Sequence, residues 1–100
     1  MHGEYKTPGG KLVVVDFEVV DDRLANVMLS GDFFLYPEEA LGALTAGLEG
    51  LANDRSEAEI AQQVRASLPR GAELLGTSPE AIGAAVRRAL ANDGAADGGA

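Results

Sequence analysis

Two short segments of this 100-residue chain contain residue types that suit binding rather than catalysis. The first is Lys6-Thr7-Pro8-Gly9-Gly10-Lys11, in which Pro-Gly fits the centre of a type II turn and the glycines leave the backbone open to close approach. Lys6 and Lys11 are the only lysines of the chain, so this glycine turn is a cationic spot that suits an anion, a carboxylate or an acidic partner. The alternative is a structural turn whose lysines protect an exposed sheet edge.

The second segment is Ser30-Gly31-Asp32-Phe33-Phe34-Leu35. An apolar alternation breaks at Gly31, where a bulge or bend is expected. Phe33 and Phe34 are adjacent, so in an extended chain they point to opposite faces, and only one of them has an obvious place in a thin core. The other either covers the end of a sheet or docks a partner, and Asp32 either caps local backbone amides or pairs with a partner cation.

The composition excludes several kinds of site. The chain has no cysteine, and its single histidine, His2, lies at the N-terminus, where chains are usually loosely ordered, so we expect no metal centre and no catalytic thiol or imidazole. Glycine-rich nucleotide loops and nucleophile elbows are absent, and glutamate pairs such as Glu38-Glu39 fall in helix first turns, where the helix dipole explains them. These features argue against an independent enzyme.

The charge balance limits the partners. With 16 acidic and 8 basic residues, the formal net charge is −8, which argues against nucleic acid and against an anionic membrane surface. No leader-like segment and no apolar run of about 18 residues is present, so we expect a soluble cytoplasmic protein.

The elements that position the two segments follow from hydrophobic periodicity. Val13, Val15, Phe17 and Val19 alternate with polar residues, and Ala25, Val27 and Leu29 repeat the alternation after the polar break 21–23, which predicts an antiparallel hairpin. The sheet is either this hairpin alone or a three-stranded sheet whose extra strand is supplied by 5–7 or 74–75, and 73–75 is either a short strand or a turn.

Helical spacing predicts three helices after the hairpin. The first opens at Pro37, has Leu41, Leu44, Leu48 and Leu51 on one face, and is broken at 53–54. The second begins with a capping box of Ser56 and Glu59, and the third begins at 78–80. The expected fold is a two-layer α+β sandwich over residues 1–92, with a small antiparallel sheet packed against about three helices and a disordered tail over 93–100.

Taken together and in this order, the glycine turn, the hairpin, the segment 29–34 and Pro37-Glu38-Glu39-Ala40 resemble the C-terminal accessory domain of lipoate–protein ligases, most closely the form made as a separate small protein. The resemblance covers about residues 3 to 50, and the later helices match only in general pattern. The positions that match the two motifs, or lie within them, are the candidate contacts to a partner or an active site: Lys6, Pro8, Gly9, Gly10, Lys11, Gly31, Asp32, Phe33 and Phe34.

The resemblance implies a non-catalytic accessory subunit of a bipartite ligase. In that family a separate catalytic subunit activates lipoate with ATP and magnesium to lipoyl-adenylate, then transfers the lipoyl group to a lysine of an acceptor protein. The small chain binds no cofactor alone, supports the activation step, and meets the acceptor at most transiently. The alternative is a free-standing interaction module, or a homodimer through the same aromatic surface, with no link to lipoate.

Overall fold

The main sheet consists of three antiparallel strands in the order β1-β2-β3: β1 (His2–Lys6), β2 (Leu12–Val20) and β3 (Arg23–Gly31). The computed structural model describes residues 1–9 and 11–99. The predicted hairpin is confirmed as β2–β3, and its connection places Asp21 and Asp22 at φ 53° and 63°, the left-handed pair that a two-residue hairpin turn needs. The third strand is N-terminal and includes Tyr5, so the expectation of a loose chain at His2 was wrong.

A bulge in β3 departs from the predicted alternation. Two residues of β3 lie opposite one of β2, and Asn26 takes a positive φ of 54° there. The Glu49 carboxylate accepts the backbone N–H groups of Asn26 and Val27 at 3.0 and 2.6 Å. Because of the extra residue, Leu24 is buried before the bulge and Val27 after it, while Ala25 is only half-buried.

The three predicted helices are present as α1 (Glu39–Leu48), α2 (Glu57–Ser67) and α3 (Pro79–Gly99). α1 ends earlier than the predicted break at 53–54, because Glu49 is extended and Gly50 takes a φ of 78°. α3 continues past Asp93, where the sequence places the start of a tail. The division into a domain over 1–92 and a disordered tail over 93–100 stays a prediction.

A second, two-stranded antiparallel sheet joins β4 (Phe34–Tyr36) to β5 (Glu73–Leu75). The sequence left residues 73–75 open between a turn and a third strand of the main sheet. They form a strand, but its partner is β4, so Leu74 contributes to a separate ribbon. This ribbon lies next to α1 in the fold.

The core lies between the main sheet and the helices. Val13, Val15 and Phe17 are buried, as their alternation predicted, and the inward faces of all three helices meet them. α3 packs on both β1 and α2. The approach to β1 is close: a Cβ added at Gly3 would lie 2.4 Å from the Ala85 carbonyl oxygen. The predicted two-layer α+β class is therefore confirmed.

Candidate functional site

The glycine turn connects β1 to β2 and projects from one end of the main sheet. The Thr7 backbone N–H donates to the Lys11 carbonyl oxygen at 2.8 Å, and the Thr7 hydroxyl donates to the same oxygen at 3.2 Å. Gly9 takes a φ of 144°, which agrees with the glycine conformation that the turn motif predicted. Lys6 and Lys11 are both exposed at the base of the turn.

Pro8 and Gly9 form the tip of the glycine turn. Pro8 and Gly9 are exposed, and a Cβ added at Gly9 would meet nothing within 4 Å, so the tip of the turn is open to close approach. Gly10 lies outside the described residues. The roles of these residues in contacting a partner stay predictions.

The second segment begins beside the first, because β3 ends where β2 starts. Gly31 pairs with Val13, and the Asp32 backbone N–H donates to the Leu12 carbonyl oxygen at 2.8 Å. Gly31 has a φ of 141°, and a Cβ there would lie 2.1 Å from the Leu12 carbonyl oxygen. The two motifs that are separate in sequence therefore share one end of the molecule, and Asp32 is exposed next to the start of β2.

The two adjacent phenylalanines point to opposite faces, as the sequence predicted. Phe33 is half-buried and packs against the core, whereas Phe34 is 65% exposed. The Phe34 ring stacks on that of Tyr36, with centroids 6.4 Å apart and planes 13° from parallel. Tyr36 is 52% exposed and was not among the predicted site residues. Its spacing of two from Phe34 in an extended segment is the signal that could have identified it.

A cleft of about 460 Å³ lies beside the glycine turn, and no sequence pattern indicated it. Thr7 and Pro8 form one wall, and the segment 76–78 before α3 forms another. Gly76 approaches the second motif closely, since a Cβ there would lie 3.1 Å from the Asp32 carbonyl oxygen. The cleft therefore joins the turn to the segment 31–34 through a loop whose sequence indicated only a helix start.

The charges that line this cleft are mixed. The Arg88 guanidinium lies 5.0 Å from the centre of the Tyr5 ring, in cation–π geometry, and both residues line the cleft. Glu57 and Glu80 line it as well, so the positive charge of Arg88 does not dominate. The cleft suits contact with a polar protein surface better than capture of a free phosphate group.

His2 takes part in an exposed charge cluster on the outer face of the sheet. Its Nε2 lies 2.7 Å from a Glu4 carboxylate oxygen and its Nδ1 lies 2.8 Å from one of Asp16. These hydrogen bonds, first that of Glu4 and then that of Asp16, raise the pKa of His2 above 6.5. The carboxylates occupy opposite sides of the ring and do not converge on one point. Across residues 1–9 and 11–99, no group of three or more His, Asp or Glu residues is arranged to hold a metal ion.

In the part of the chain that the structure describes, none of the helices combines the length and the apolar character needed to cross a membrane.

The fold of this chain has a counterpart among solved structures. No protein-family model matches the chain, and no curated protein matches it in sequence. Among solved structures, it is similar to a chain of the archaeal lipoylation system of Thermoplasma acidophilum, described as a bipartite lipoate protein ligase and its E2 lipoyl domain. The TM-score is 0.70 at 25% identity, and the match covers 87% of this chain and 93% of that one. The resemblance to the small accessory chain of bipartite lipoate–protein ligases, which the sequence motifs predicted over the first half of the chain, is thus confirmed for its three-dimensional fold.

Proposed function

We propose that this chain is the non-catalytic accessory subunit of a bipartite lipoate–protein ligase. In this role it supports the ATP-dependent activation of lipoate to lipoyl-adenylate by a separate catalytic subunit, which holds the lipoate, the ATP and the magnesium. The observation that carries the proposal is the similarity to the Thermoplasma acidophilum ligase system, because it spans nearly the full length of both chains. The high coverage of both chains favours similarity over the whole domain rather than over one shared motif.

The geometry of the candidate site supports a partner-facing role. The glycine turn and the segment 31–34 meet at one end of the molecule, where the turn tip is open and two aromatic rings are exposed. A small domain placed over the pocket of a larger subunit excludes water from a reactive adenylate and biases the pocket toward its closed state. Lys6 and Lys11 then either help dock the chain or add positive potential near the adenylate phosphate.

The experiment is reconstitution of lipoate adenylation with the purified catalytic subunit of the same organism. We expect activation to be fast only when both chains are present, measured as lipoate-dependent exchange of pyrophosphate into ATP. Equal rates with and without this chain would contradict the proposal. Measurable ATP or lipoate turnover by this chain alone would instead indicate an independent enzyme.

The lysines of the glycine turn provide a sharper test. We expect Lys6→Ala to lower the adenylation rate of the reconstituted enzyme about fivefold, the scale of one exposed charge interaction worth about 1 kcal/mol. Lys6→Arg keeps the positive charge and is expected to retain most of the rate. If the alanine and arginine variants lose the same activity, the charge of Lys6 is not what matters.

A free-standing interaction module or homodimer is the second candidate, favoured by the exposure of Phe34 and Tyr36. Sedimentation of the purified chain distinguishes the two. A stable dimer that does not bind the catalytic subunit would favour this second candidate.

A further inference from the structure

The outer side of the β4–β5 ribbon carries three neighbouring exposed apolar side chains. Phe34 and Tyr36 point outward from β4, and Leu75 points outward from β5, where it pairs directly with Phe34. Their exposed fractions are 65%, 52% and 49%, whereas a single-chain domain normally scatters such residues singly over its surface. We refer to these three residues as the aromatic face.

The aromatic face is attached to the core through the opposite side of the ribbon. Its rings are stacked on each other, and the alternate residues of the same ribbon, Leu35 and Leu74, point inward and pack against the core. A two-stranded ribbon alone is marginal in water, so this inward packing is what keeps it in place. Rings that are ordered before binding lose little conformational entropy on binding, which is the property of aromatic anchors in protein interfaces.

The charges around the aromatic face indicate what would cover it. Within three positions of β4 and β5 in sequence, the charged residues are Asp32, Glu38, Glu39, Glu73 and Arg70, four acidic and one basic. The glycine turn adds the exposed Lys11 next to Asp32, so acidic groups still outnumber basic ones by four to two. Glu73 pairs with Tyr36, so its carboxylate side chain shares the outer side of the ribbon. A second copy of this chain would bring the same acidic rim against itself in a symmetric dimer, at a cost in repulsion. A surface with the opposite charge fits better.

We propose that the aromatic face is the docking surface for the ligase catalytic subunit, and that it inserts into an apolar groove edged by lysine and arginine. This inference rests on the proposed function and adds the surface and the chemistry of the partner. Phe34 is the central anchor, and Glu73 is the charge that selects a basic rim. Docking through β4 places the glycine turn beside the same interface, because the backbone of Asp32 is hydrogen-bonded to that of Leu12.

Titration calorimetry of this chain with the purified catalytic subunit tests the proposal. We expect Phe34→Ala to raise Kd at least about tenfold, equivalent to about 1.4 kcal/mol, because a few central aromatic anchors contribute most of the binding energy of an interface. Glu73→Lys is expected to raise Kd as well and to weaken its dependence on salt. Both positions are exposed, so we expect both variants to fold. Thermal unfolding at the wild-type temperature would verify that the fold is intact.

Two substitutions elsewhere serve as matched controls. Met28, at 69% exposure, lies on the outer face of the main sheet, so Met28→Ala removes a comparable exposed apolar side chain and is expected to leave Kd unchanged. Asp54→Lys makes the same charge reversal as Glu73→Lys in a remote turn and is also expected to leave it unchanged.

The outcomes separate this inference from the proposed function. If the wild-type chain stimulates adenylation but Phe34→Ala and Glu73→Lys bind as tightly as the controls, the docking surface is wrong and the function stands. If the wild-type chain neither binds nor stimulates the catalytic subunit, both are wrong. A dimer of this chain that Phe34→Ala dissociates, and that binds the catalytic subunit as tightly as the monomer does, would also overturn the inference.

Discussion

Backbone conformation at single residues determines how the two motifs meet. Gly31 adopts a φ of 141° at the end of β3, so that the next N–H reaches the Leu12 carbonyl oxygen. A side chain there would collide with that oxygen, because its Cβ would be only 2.1 Å away. Glycine at this position is therefore required for the geometry that brings the segment 31–34 beside the glycine turn.

A disfavoured φ alone costs about 1–3 kcal/mol. Because the collision with the strand backbone adds to this cost, we expect Gly31→Ala to lower the free energy of unfolding by more than the φ alone would. The measurement is the free energy of unfolding in urea. Gly42→Ala is the matched control: it lies inside α1 with nothing within 4 Å of the added Cβ, and it should stabilise the domain by about 0.5–1 kcal/mol. Equal effects of the two substitutions would contradict this account.

His2 gives the stability of the domain a pH dependence of defined sign. Because its hydrogen bonds to Glu4 and Asp16 raise its pKa above 6.5, the folded state binds the proton more tightly than the unfolded state. The stabilisation is fully present below pH 6.5 and is lost as the pH rises through the raised value. We expect the free energy of unfolding to fall more between pH 6 and 8 in the wild type than in His2→Gln. A parallel pH dependence would show that His2 does not contribute.

Among the elements, local sequence signals specified α2 most completely. The Ser56 hydroxyl accepts the Glu59 backbone N–H at 3.1 Å, and the Glu59 carboxylate accepts the Ser56 N–H at 3.0 Å, which is the capping box that the sequence predicted. Hydrogen bonds to the Glu59 carboxylate, first from the Ser56 backbone N–H and then from the side chains of Ser56 and Arg55, lower the pKa of Glu59. The β4–β5 ribbon is the opposite case, because its two strands are far apart in sequence and no local pattern pairs them.

We expect Ser56→Ala to lower the free energy of unfolding by about 1 kcal/mol, the usual cost of losing an N-cap. Thermal and urea unfolding measure it. Gln62→Ala, at an exposed position of the same helix, is the control and should change stability by no more than about 0.5 kcal/mol. If both substitutions cost the same, the cap does not stabilise the helix in this context.

For the whole molecule, α3 connects the sheet to the other helices through small residues. Its inner surface includes Ala81, Ala85 and Ala89, all fully or almost fully buried, and it contacts β1, β2 and α2. The backbone of β1 approaches it at Gly3. The many alanines of the second half of the sequence therefore permit close packing of the two layers, as their small size suggests.

We expect Ala85→Leu to destabilise the domain by about 1–3 kcal/mol, because the enlarged side chain would separate α3 from β1. Circular dichroism and tyrosine fluorescence should report the same unfolding midpoint, since one core joins both layers. Ala46→Leu, at an exposed position of α1, is the control and should be nearly neutral. A neutral effect of Ala85→Leu would show that the helix adapts to larger residues.

The sequence by itself determined the β2–β3 hairpin, the three helices, the α+β class and the opposite orientations of Phe33 and Phe34. These features depend on periodicity and caps within a few residues, which a single sequence contains. The tertiary structure alone decided that β5 pairs with β4, that Glu49 binds the bulge at Asn26, and that the loop 76–78 closes a cleft beside the glycine turn. Each of these joins residues distant in the chain, and their proximity follows from packing around the shared core, which no local pattern encodes.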